Sequence, residues 1–277
     1  MTSLQASVVL TTYNNPRALE MVLTGLARQT AGGFEVWIAD DGSGEATREV
    51  VERFAARAPW PLHHAWHEDR GFRKSRILNR ALASMAGEYV VHLDGDCIPH
   101  PDYVGTHLRF RGKGRFLFGH RVFLGDRISA GLTAEGIRAG VLEGGVRNLL
   151  RGFRGEAGRA YNAIRLPDPL VSVVGAALGG RPVMRGMNFS AWRADLLAIN
   201  GWNEEYEGWG AEDDDLVARL GFLGRTGRSV RFGAILFHLY HPVASRELAP
   251  RNAAILQAVR RSQTPRCRLG IRNDENA

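Results

Sequence analysis

The chain has 277 residues, enough to bury the core of one large α/β domain or two small ones. Its 36 Lys and Arg outnumber its 29 Asp and Glu, and such a basic surface favours anionic partners: nucleic acid, an anionic membrane or phosphorylated substrates. Two cysteines, Cys97 and Cys267, exclude a disulfide framework and a cysteine-based zinc site. No apolar run reaches about 18 residues and no signal-peptide pattern opens the chain, so we expect a cytoplasmic protein without a transmembrane helix.

The first hundred residues alternate short β-rich runs with amphipathic helical patterns. Strands are predicted over 6–12, 34–39, 62–66 and 88–93, and helices over 18–29, 47–57 and 75–85. This alternation predicts an α/β fold with a mostly parallel central sheet and helices on both faces. In such sheets, ligands bind beyond the carboxyl ends of the strands. Polar clusters lie at three of these ends: Thr11 to Asn14, Asp40 with Asp41, and Asp94 with Asp96.

After about residue 120 the pattern changes. Apolar residues over 127–165 recur at a roughly helical spacing, with arginines between them and glycines that weaken a helix by up to about 1 kcal/mol each. One interpretation is a helical insertion that packs on the sheet. The other is a basic amphipathic element that lies on a membrane or binds a lipid-linked substrate. A second arginine-rich stretch follows residue 245.

Two dense groups of carboxylates are the strongest functional signal. Asp94-Gly95-Asp96 follows a predicted strand, and Glu212 to Asp215 follow Gly208-Trp209-Gly210-Ala211. Ionised carboxylates repel one another at this spacing, so they are usually kept where a cation or a reaction needs them. The alternatives are a turn after a strand for the first group and the acidic first turn of a helix for the second.

Asp-x-Asp at a strand end suits a hard divalent cation such as Mg²⁺ or Mn²⁺. His238 and His241 are candidates to complete the metal site, and imidazole ligands favour Mn²⁺. Alternatively, both histidines are simply polar side chains at the end of a strand.

A basic patch at the start of the third predicted helix contains Arg70, Arg73, Lys74 and Arg76. A helix N-terminus and cationic side chains together favour a phosphate, although solvated surface charge is the alternative. The chain contains neither a P-loop sequence nor a dinucleotide-binding Gly-x-Gly-x-x-Gly after its first strand.

In this order, the motifs resemble the family 2 glycosyltransferases of the GT-A fold. The second half resembles the β-1,4-galactosyltransferases and the bacterial chondroitin-type polymerases, and the match covers most of 6–120 and 184–242. The resemblance implies a UDP-sugar donor, with Asp40 and Asp41 holding uracil and ribose and the basic helix start facing the diphosphate. The implied donor-binding residues are Thr11, Thr12, Tyr13, Asp40, Asp41, Phe72, Arg73, Lys74, Arg76 and Asp94.

The resemblance also implies roles for the remaining motif residues. Asp96 and His241, with His238, would hold the metal, and Asp213 would be the catalytic base. The implied acceptor-binding residues are Trp209 as an apolar platform and Glu212, which also belongs to the catalytic pair.

The resemblance implies one GT-A domain over 1–245 and a basic tail over 246–277. Within the domain we expect a nucleotide-sugar-binding half (1–120), a variable helical insertion (121–183) and an acceptor and catalytic half (184–245). The predicted reaction is inverting transfer from a UDP-sugar to a hydroxyl of a saccharide or lipid-linked saccharide, as in surface-polysaccharide assembly, with Mn²⁺ or Mg²⁺.

The missing Gln-x-x-Arg-Trp signature and membrane helices of processive synthases favour single additions. Peripheral attachment to the inner face of the cell membrane is a further hypothesis. Two other classes stay open: a sugar nucleotidyltransferase and a non-catalytic basic protein that binds nucleic acid. The first should carry a glycine-rich basic loop after the first strand, where Asn14-Asn15-Pro16 stands, and the second does not need the carboxylate groups.

Overall fold

The computed structural model describes residues 4–178, 188–242 and 245–272. Strands and helices within these ranges are numbered in chain order. The strands are β1 (Ala6–Thr12), β2 (Phe34–Asp40), β3 (Leu62–Trp66), β4 (Tyr89–Asp94), β5 (Cys97–Pro99), β6 (Arg115–Phe118), β7 (Arg121–Leu124), β8 (Ala157–Gly158), β9 (Phe189–Trp192), β10 (Thr226–Ser229) and β11 (Leu236–His238). The α-helices are α1 (Pro16–Leu26), α2 (Glu45–Ala55), α3 (Lys74–Ser84), α4 (Tyr103–Phe110), α5 (Asp126–Gly131), α6 (Ala134–Arg138), α7 (Gly145–Phe153), α8 (Asp168–Leu178), α9 (Arg193–Ala198), α10 (Glu212–Phe222) and α11 (Ala249–Ser262).

The larger sheet has seven strands in the order β10-β6-β9-β4-β1-β2-β3. All neighbouring strands are parallel except β9, which runs antiparallel to both β4 and β6. The mostly parallel sheet expected from the alternating pattern is therefore confirmed.

Strand β1 lies at the centre of the core because apolar residues occupy both of its faces. Val8 and Leu10 pack in one hydrophobic cluster with helix α1, whereas Val9 packs in a second cluster with helix α3. A strand buried on both faces is typical of a parallel sheet covered by helices on each side. The two clusters thus confirm helices on both faces.

The predicted strand over 62–66 has the bounds of β3, and the other early elements agree within a few residues. Helix α1 begins two residues earlier than predicted because Pro16 suits the first helical position and the Asn15 side chain caps the backbone N–H of Ala18 at 3.2 Å.

A second, four-stranded sheet has the order β5-β11-β7-β8. Strands β7 and β8 come from the segment 121–183, so the region predicted as a helical insertion also contributes strands. Sequence patterning missed them because β7 has four residues and β8 only two, too few to show a period. Residues 179–183 of that predicted insertion lie outside the described residues.

The arginine-rich stretch after residue 245 is folded against the rest of the domain as far as residue 272. Helix α11 packs on helix α10. Beyond it, the buried Asn200 side chain donates to the carbonyl oxygens of Cys267 at 3.0 Å and Arg272 at 2.8 Å. No helix in the described ranges combines the length and apolar character that crossing a membrane requires.

Candidate active site

The ends of β1, β2 and β4 lie side by side, as the sequence predicts. The register pairs Thr12 with Asp40 and Thr11 with Asp94. Directly after Asp94, a Cβ atom on Gly95 would lie 2.1 Å from the carbonyl oxygen of Thr11. Only glycine allows the chain to pass this close, so the glycine of Asp94-Gly95-Asp96 holds both aspartates against the end of β1.

Two histidines that the sequence did not single out bind the carboxylates at the end of β2. His64 Nε2 lies 2.9 Å from Asp40 Oδ2, and His67 Nε2 lies 2.7 Å from Asp41 Oδ1. Both come from β3 and the loop after it, next to β2 in the sheet. Burial raises the pKa of Asp41, and the bond from His67 opposes that shift.

Tyr13 is half-exposed at the rim of this crevice, and its hydroxyl donates to Asp69 Oδ2 at 2.8 Å. Its ring therefore presents an exposed aromatic surface, held by a carboxylate from the loop after β3.

The basic side chains at the start of helix α3 lie on different sides of the helix. Lys74 Nζ lies 2.9 Å from Asp94 Oδ1 and 4.0 Å from Glu212 Oε1. Arg73 meets Asp41 through its backbone N–H at 2.8 Å, while its guanidinium donates to the carbonyl oxygen of Glu68.

Arg76 is exposed and lines a separate pocket with Arg80. Of the three cations expected at the diphosphate, only the side chain of Lys74 reaches the described carboxylates of Asp94 and Glu212. The structure does not bring Arg76 there, because a two-residue step turns a helix by more than half a circle.

Lys74 is held in its charged form by the carboxylates around it. Burial disfavours the ammonium, but Asp94, Asp213 and Glu212 together raise the pKa of Lys74. In turn, burial opposes ionisation of Asp94, and Lys74 brings the pKa of Asp94 well below its usual range. Asp94 therefore remains ionised and Lys74 protonated.

The small sheet places both candidate histidines at Asp96. Strand β5 pairs with β11 so that Cys97 lies opposite His238, and the backbone N–H of Leu239 donates to the carbonyl oxygen of Asp96 at 2.9 Å. Asp96 Oδ2 lies 3.1 Å from His241 Nε2 and 3.6 Å from His238 Nε2.

One carboxylate and two imidazoles form a donor set that fits a divalent cation such as Mn²⁺. The ligand atoms of Asp96, Cys97 and His238 also lie within 4.8 Å of one another. Burial raises the pKa of the Cys97 thiol, however, so it stays protonated and donates to Asp96 Oδ1. The hydrogen bond that His241 donates to Asp96 raises the pKa of His241 to about 9, and a bound cation would take the place of that proton.

Arg121 is a further cation of the site that sequence reasoning did not identify. It opens strand β7, its Nη1 lies 4.0 Å from Asp94 Oδ2, and its guanidinium carbon lies 4.8 Å from the centre of the Phe123 ring. That ring in turn packs against His238. Arg121 Nε is buried without a hydrogen-bond partner among the described residues. No local motif marks Arg121, because its position depends on the pairing of β7 with β11.

Asp213 and Asp215 lie in the same helical turn but in different surroundings. Asp215 is fully buried and accepts a 2.7 Å hydrogen bond from Arg219 Nε. Asp213 Oδ1 is also buried, yet within the described part of the chain it has no hydrogen-bond partner. Burial raises the pKa of Asp213 well above its ordinary value, with Glu212 adding to the shift and Lys74 opposing it. Such a carboxylate can accept a proton from a ligand.

The loop before helix α10 is tied to helix α3. The Asn79 side chain accepts the backbone N–H of Trp202 at 2.8 Å and donates to its carbonyl oxygen at 2.8 Å. Farther along, the backbone N–H of Gly208 donates to the carbonyl oxygen of Phe72 at 3.3 Å. The next residue, Trp209, is 44% exposed, and the guanidinium of Arg246 lies 5.1 Å from its ring centre. The implied sugar platform is therefore accessible to a ligand.

Two family models match the chain on either side of the segment that carries the helices α5 to α8. One, described as Glycosyl transferase family 2, matches residues 7–127, and the other, described as N-terminal domain of galactosyltransferase, matches residues 181–242. The region 7–127 is therefore similar to glycosyl transferase family 2. This confirms the resemblance of the motifs.

The chain is also similar to two named proteins over most of its length. The chain is 28% identical over 221 residues to validoxylamine A glucosyltransferase of Streptomyces hygroscopicus subsp. jinggangensis, a match covering 77% of this chain and 50% of that protein. It is 27% identical over 251 residues to chondroitin synthase of Escherichia coli, covering 85% of this chain and 35% of the relative. The chain thus spans half or less of these two proteins.

Solved structures confirm the GT-A fold. S. aureus TarS, residues 1–349, superposes with a TM-score of 0.60 at 15% identity, covering 94% of this chain and 65% of that one. The mannosyltransferase PcManGT from Pyrobaculum calidifontis, in complex with GDP-Man and Mn²⁺, superposes with a TM-score of 0.56 at 18% identity, covering 94% and 72%.

Proposed function

We propose that this protein is an inverting glycosyltransferase that moves a sugar from a UDP-sugar to a hydroxyl group of a saccharide. The observation that carries the proposal is the position of Lys74, which contacts Asp94 at 2.9 Å and approaches Glu212 to 4.0 Å. Two carboxylate groups more than a hundred residues apart thereby share one largely buried cation. The match of residues 7–127 to the glycosyl transferase family 2 model argues against the sugar nucleotidyltransferase and the non-catalytic basic protein that the sequence left open.

The donor would lie over the ends of β1, β2 and β4. Asp40 and Asp41 would hold the uridine, with the Tyr13 ring beside it and the backbone of Thr11 and Thr12 below. Phe72, half-exposed at the start of helix α3, would face the same ligand. The ammonium of Lys74 would offset charge on the diphosphate.

In the proposed reaction, a hydroxyl oxygen of the acceptor forms a bond to the anomeric carbon while the bond from that carbon to the diphosphate breaks. The hydroxyl proton passes to Asp213 Oδ1, and UDP leaves with the bonding electron pair. Attack opposite the leaving group inverts the anomeric centre. Glu212 would orient acceptor hydroxyls, and Trp209 would stack on an acceptor ring.

Asp96, His238 and His241 would hold a divalent cation, for which Mn²⁺ is the expected ion. When bound, such a cation supplies Lewis-acid stabilisation of the charge that develops on the leaving diphosphate. The two histidine rings also pack against each other, with ring centres 5.0 Å apart.

Incubation of the protein with a panel of UDP-sugars, an oligosaccharide mixture and Mn²⁺, scored for UDP release, tests this function directly. We expect release that depends on both a sugar nucleotide and an acceptor. Release of pyrophosphate from a sugar phosphate and UTP would instead identify a nucleotidyltransferase. Binding of nucleic acid with no turnover of any sugar nucleotide would contradict an enzymatic role.

The acceptor is proposed to be a saccharide or lipid-linked saccharide at an anionic membrane, as in surface-polysaccharide assembly. Helix α7 supports this proposal because it exposes an apolar stripe: Val146 is 74% exposed, Leu150 50% and Phe153 88%. Arg147 and Arg154 are exposed on the same element and its cap, and each arginine near an anionic leaflet contributes about 1 kcal/mol. We therefore propose that helix α7 is the part of the predicted amphipathic element, residues 127–165, that contacts the membrane.

Co-sedimentation with vesicles tests this attachment. We expect binding to vesicles containing phosphatidylserine, weaker binding at high salt and loss of binding in Phe153→Asp. Exposed Tyr161, which follows helix α7, provides a matched control as Tyr161→Asp. Equal recovery in the supernatant with anionic and neutral lipids at every salt concentration would contradict peripheral attachment.

A further inference from the structure

A second concave site lies beside the candidate active site, on the exposed side of helix α3. It is a cavity of about 490 Å³, which we call the arginine pocket. Its lining includes Arg70, Arg73, Arg76, Arg80, Glu204 and Ile271. Arg73, Arg76 and Arg80 follow a three- and four-residue spacing, so they share one side of the helix. Lys74 points instead to the carboxylates of the candidate active site.

Positive charge prevails in the arginine pocket because its lining contains four arginines and only two carboxylates. Arg70 forms a 2.8 Å ion pair with Glu68, and Glu204 accepts a 2.9 Å hydrogen bond from Asn79. Of the four arginines, Arg80 donates to the carbonyl oxygen of Trp66. The charge of the remaining guanidinium groups is therefore not balanced by these carboxylates.

Two of the arginines have unused hydrogen-bond donors. Arg73 Nε is buried without an acceptor in the described ranges. The side chain of Arg76 makes no hydrogen bond or ion pair with any residue that the structure describes. A buried N–H group of a guanidinium is costly to leave without an acceptor, so Arg73 Nε points to a ligand that accepts hydrogen bonds. The exposed guanidinium of Arg76 is available to bind the same ligand.

The geometry of guanidinium groups defines the class of that ligand. Their planar forks bind the paired oxygens of a phosphate or sulfate with two parallel hydrogen bonds. A cavity of this volume lies within the range of small-ligand sites and admits such a group together with an attached sugar ring.

The arginine pocket lies next to the loop that carries Trp209, the residue proposed to stack on the acceptor. Glu204 and Asn79 line it, and Asn79 holds the loop that leads from Trp202 to Trp209. We propose that the arginine pocket binds a phosphate or sulfate group carried by the acceptor, away from the hydroxyl that reacts. This inference rests on the proposed transfer reaction for its choice of ligand, but anion binding itself does not.

Titration with inorganic phosphate and with sulfate, followed by NMR of the arginine side-chain N–H groups in EDTA, tests the site without turnover. We expect the anion to bind the wild-type protein saturably. Its dissociation constant should be at least tenfold larger for Arg76→Gln/Arg80→Gln. Arg48→Gln/Arg53→Gln, which removes the same charge from exposed positions of helix α2, is the matched control.

Equal affinity in both double variants would overturn the proposal, and so would displacement of the anion by UDP, because the pocket would then belong to the donor. A second measurement compares phosphorylated and neutral oligosaccharide acceptors. We expect Arg80→Gln to raise KM only for the phosphorylated one. Equal KM changes for both would assign the bound anion to free phosphate rather than to the acceptor and would contradict the acceptor assignment. If no acceptor reacts at all, the titration still decides whether the anion site exists.

Discussion

The two acidic groups of this chain look alike in sequence but differ in how their charges are balanced. At Asp94, Lys74 and Arg121 bring positive charge from two different elements, at 2.9 Å and 4.0 Å. In the group that opens helix α10, Arg219 balances Asp215, whereas Asp213 Oδ1 has no hydrogen-bond partner within the described residues. Carboxylates that are neighbours in sequence therefore differ in whether a cation of the protein balances their charge.

The largest expected effect comes from removing the carboxylate that faces the two histidines. We expect Asp96→Ala to abolish transfer and Mn²⁺-dependent binding of UDP, because the remaining imidazoles offer no anionic ligand. Isothermal titration with UDP, with and without Mn²⁺, measures the loss. Full activity of the variant in EDTA would contradict metal dependence.

Asp213→Asn keeps the shape of the side chain but cannot accept a proton. Transfer should fall by roughly 10²–10⁴-fold while donor binding survives. The matched control is Asp214→Asn at the next position, which should transfer at close to the wild-type rate. If Asp213→Asn retains the wild-type rate, the base lies elsewhere and Glu212 becomes the next candidate.

Breaking the buried pair in the same helix should act on stability instead. Removing one partner of a buried ion pair typically costs about 3–5 kcal/mol, so Arg219→Met should lower the free energy of unfolding by that amount. Urea denaturation measures it, and Arg219→Met/Asp215→Leu should recover much of the loss. Asp213→Asn, by contrast, should leave stability unchanged or raise it, since burial disfavours the ionised form of Asp213.

A substitution of Arg121 tests the positive charge beside Asp94 that does not come from Lys74. If its guanidinium meets the donor diphosphate, Arg121→Gln removes a charge-assisted hydrogen bond of about 1.5–3 kcal/mol and lowers kcat/KM about 10- to 100-fold. Arg159→Gln is a suitable control because its guanidinium also lies over the Phe123 ring, at 5.4 Å. Equal effects of the two variants would reduce Arg121 to a packing role.

The smallest expected effect is a shift in the pH dependence of the transfer rate. Burial raises the pKa of Asp213, with Glu212 adding to the shift, and a base works only when ionised. The rate should therefore rise with pH through a midpoint above the ordinary Asp value of about 3.9. Because Glu212→Gln removes the second cause, its pH–rate profile should have a lower midpoint. An unchanged midpoint would contradict the coupling of these two carboxylates.

Local patterns in the sequence predicted the first half of the fold well. The run around Val9, the turn residues after β2 and the aspartates after β4 each lie beside the strand that positions them. Their convergence follows from parallel pairing alone. In the same way, the sequence predicts that Asp96 has histidines near it, although only the β5–β11 pairing explains how His238 arrives there.

What the sequence did not predict depends on contacts between distant segments. His64, His67 and Arg121 reach the site through strand neighbours that no single pattern reveals. Arg76 was grouped with Lys74 because a dense basic patch gives no direction, whereas the helix sends the two side chains to different sides. The sequence does not separate Asp215 from the other acidic residues of its group, whereas the helix shows that Arg219, four residues later, pairs with it.

The hydrogen bonds between helix α3, with Phe72 before it, and the loop before helix α10 decide when the surface around Trp209 becomes ordered. Asn79 fixes Trp202, and Phe72 holds Gly208, so the surface that carries Trp209 is joined to the element that carries Lys74. The two halves of the site consequently keep one relative orientation before either substrate arrives. The entropy cost of ordering that surface is then met during folding rather than each time a substrate binds. More of the binding energy is therefore left to orient the reacting atoms.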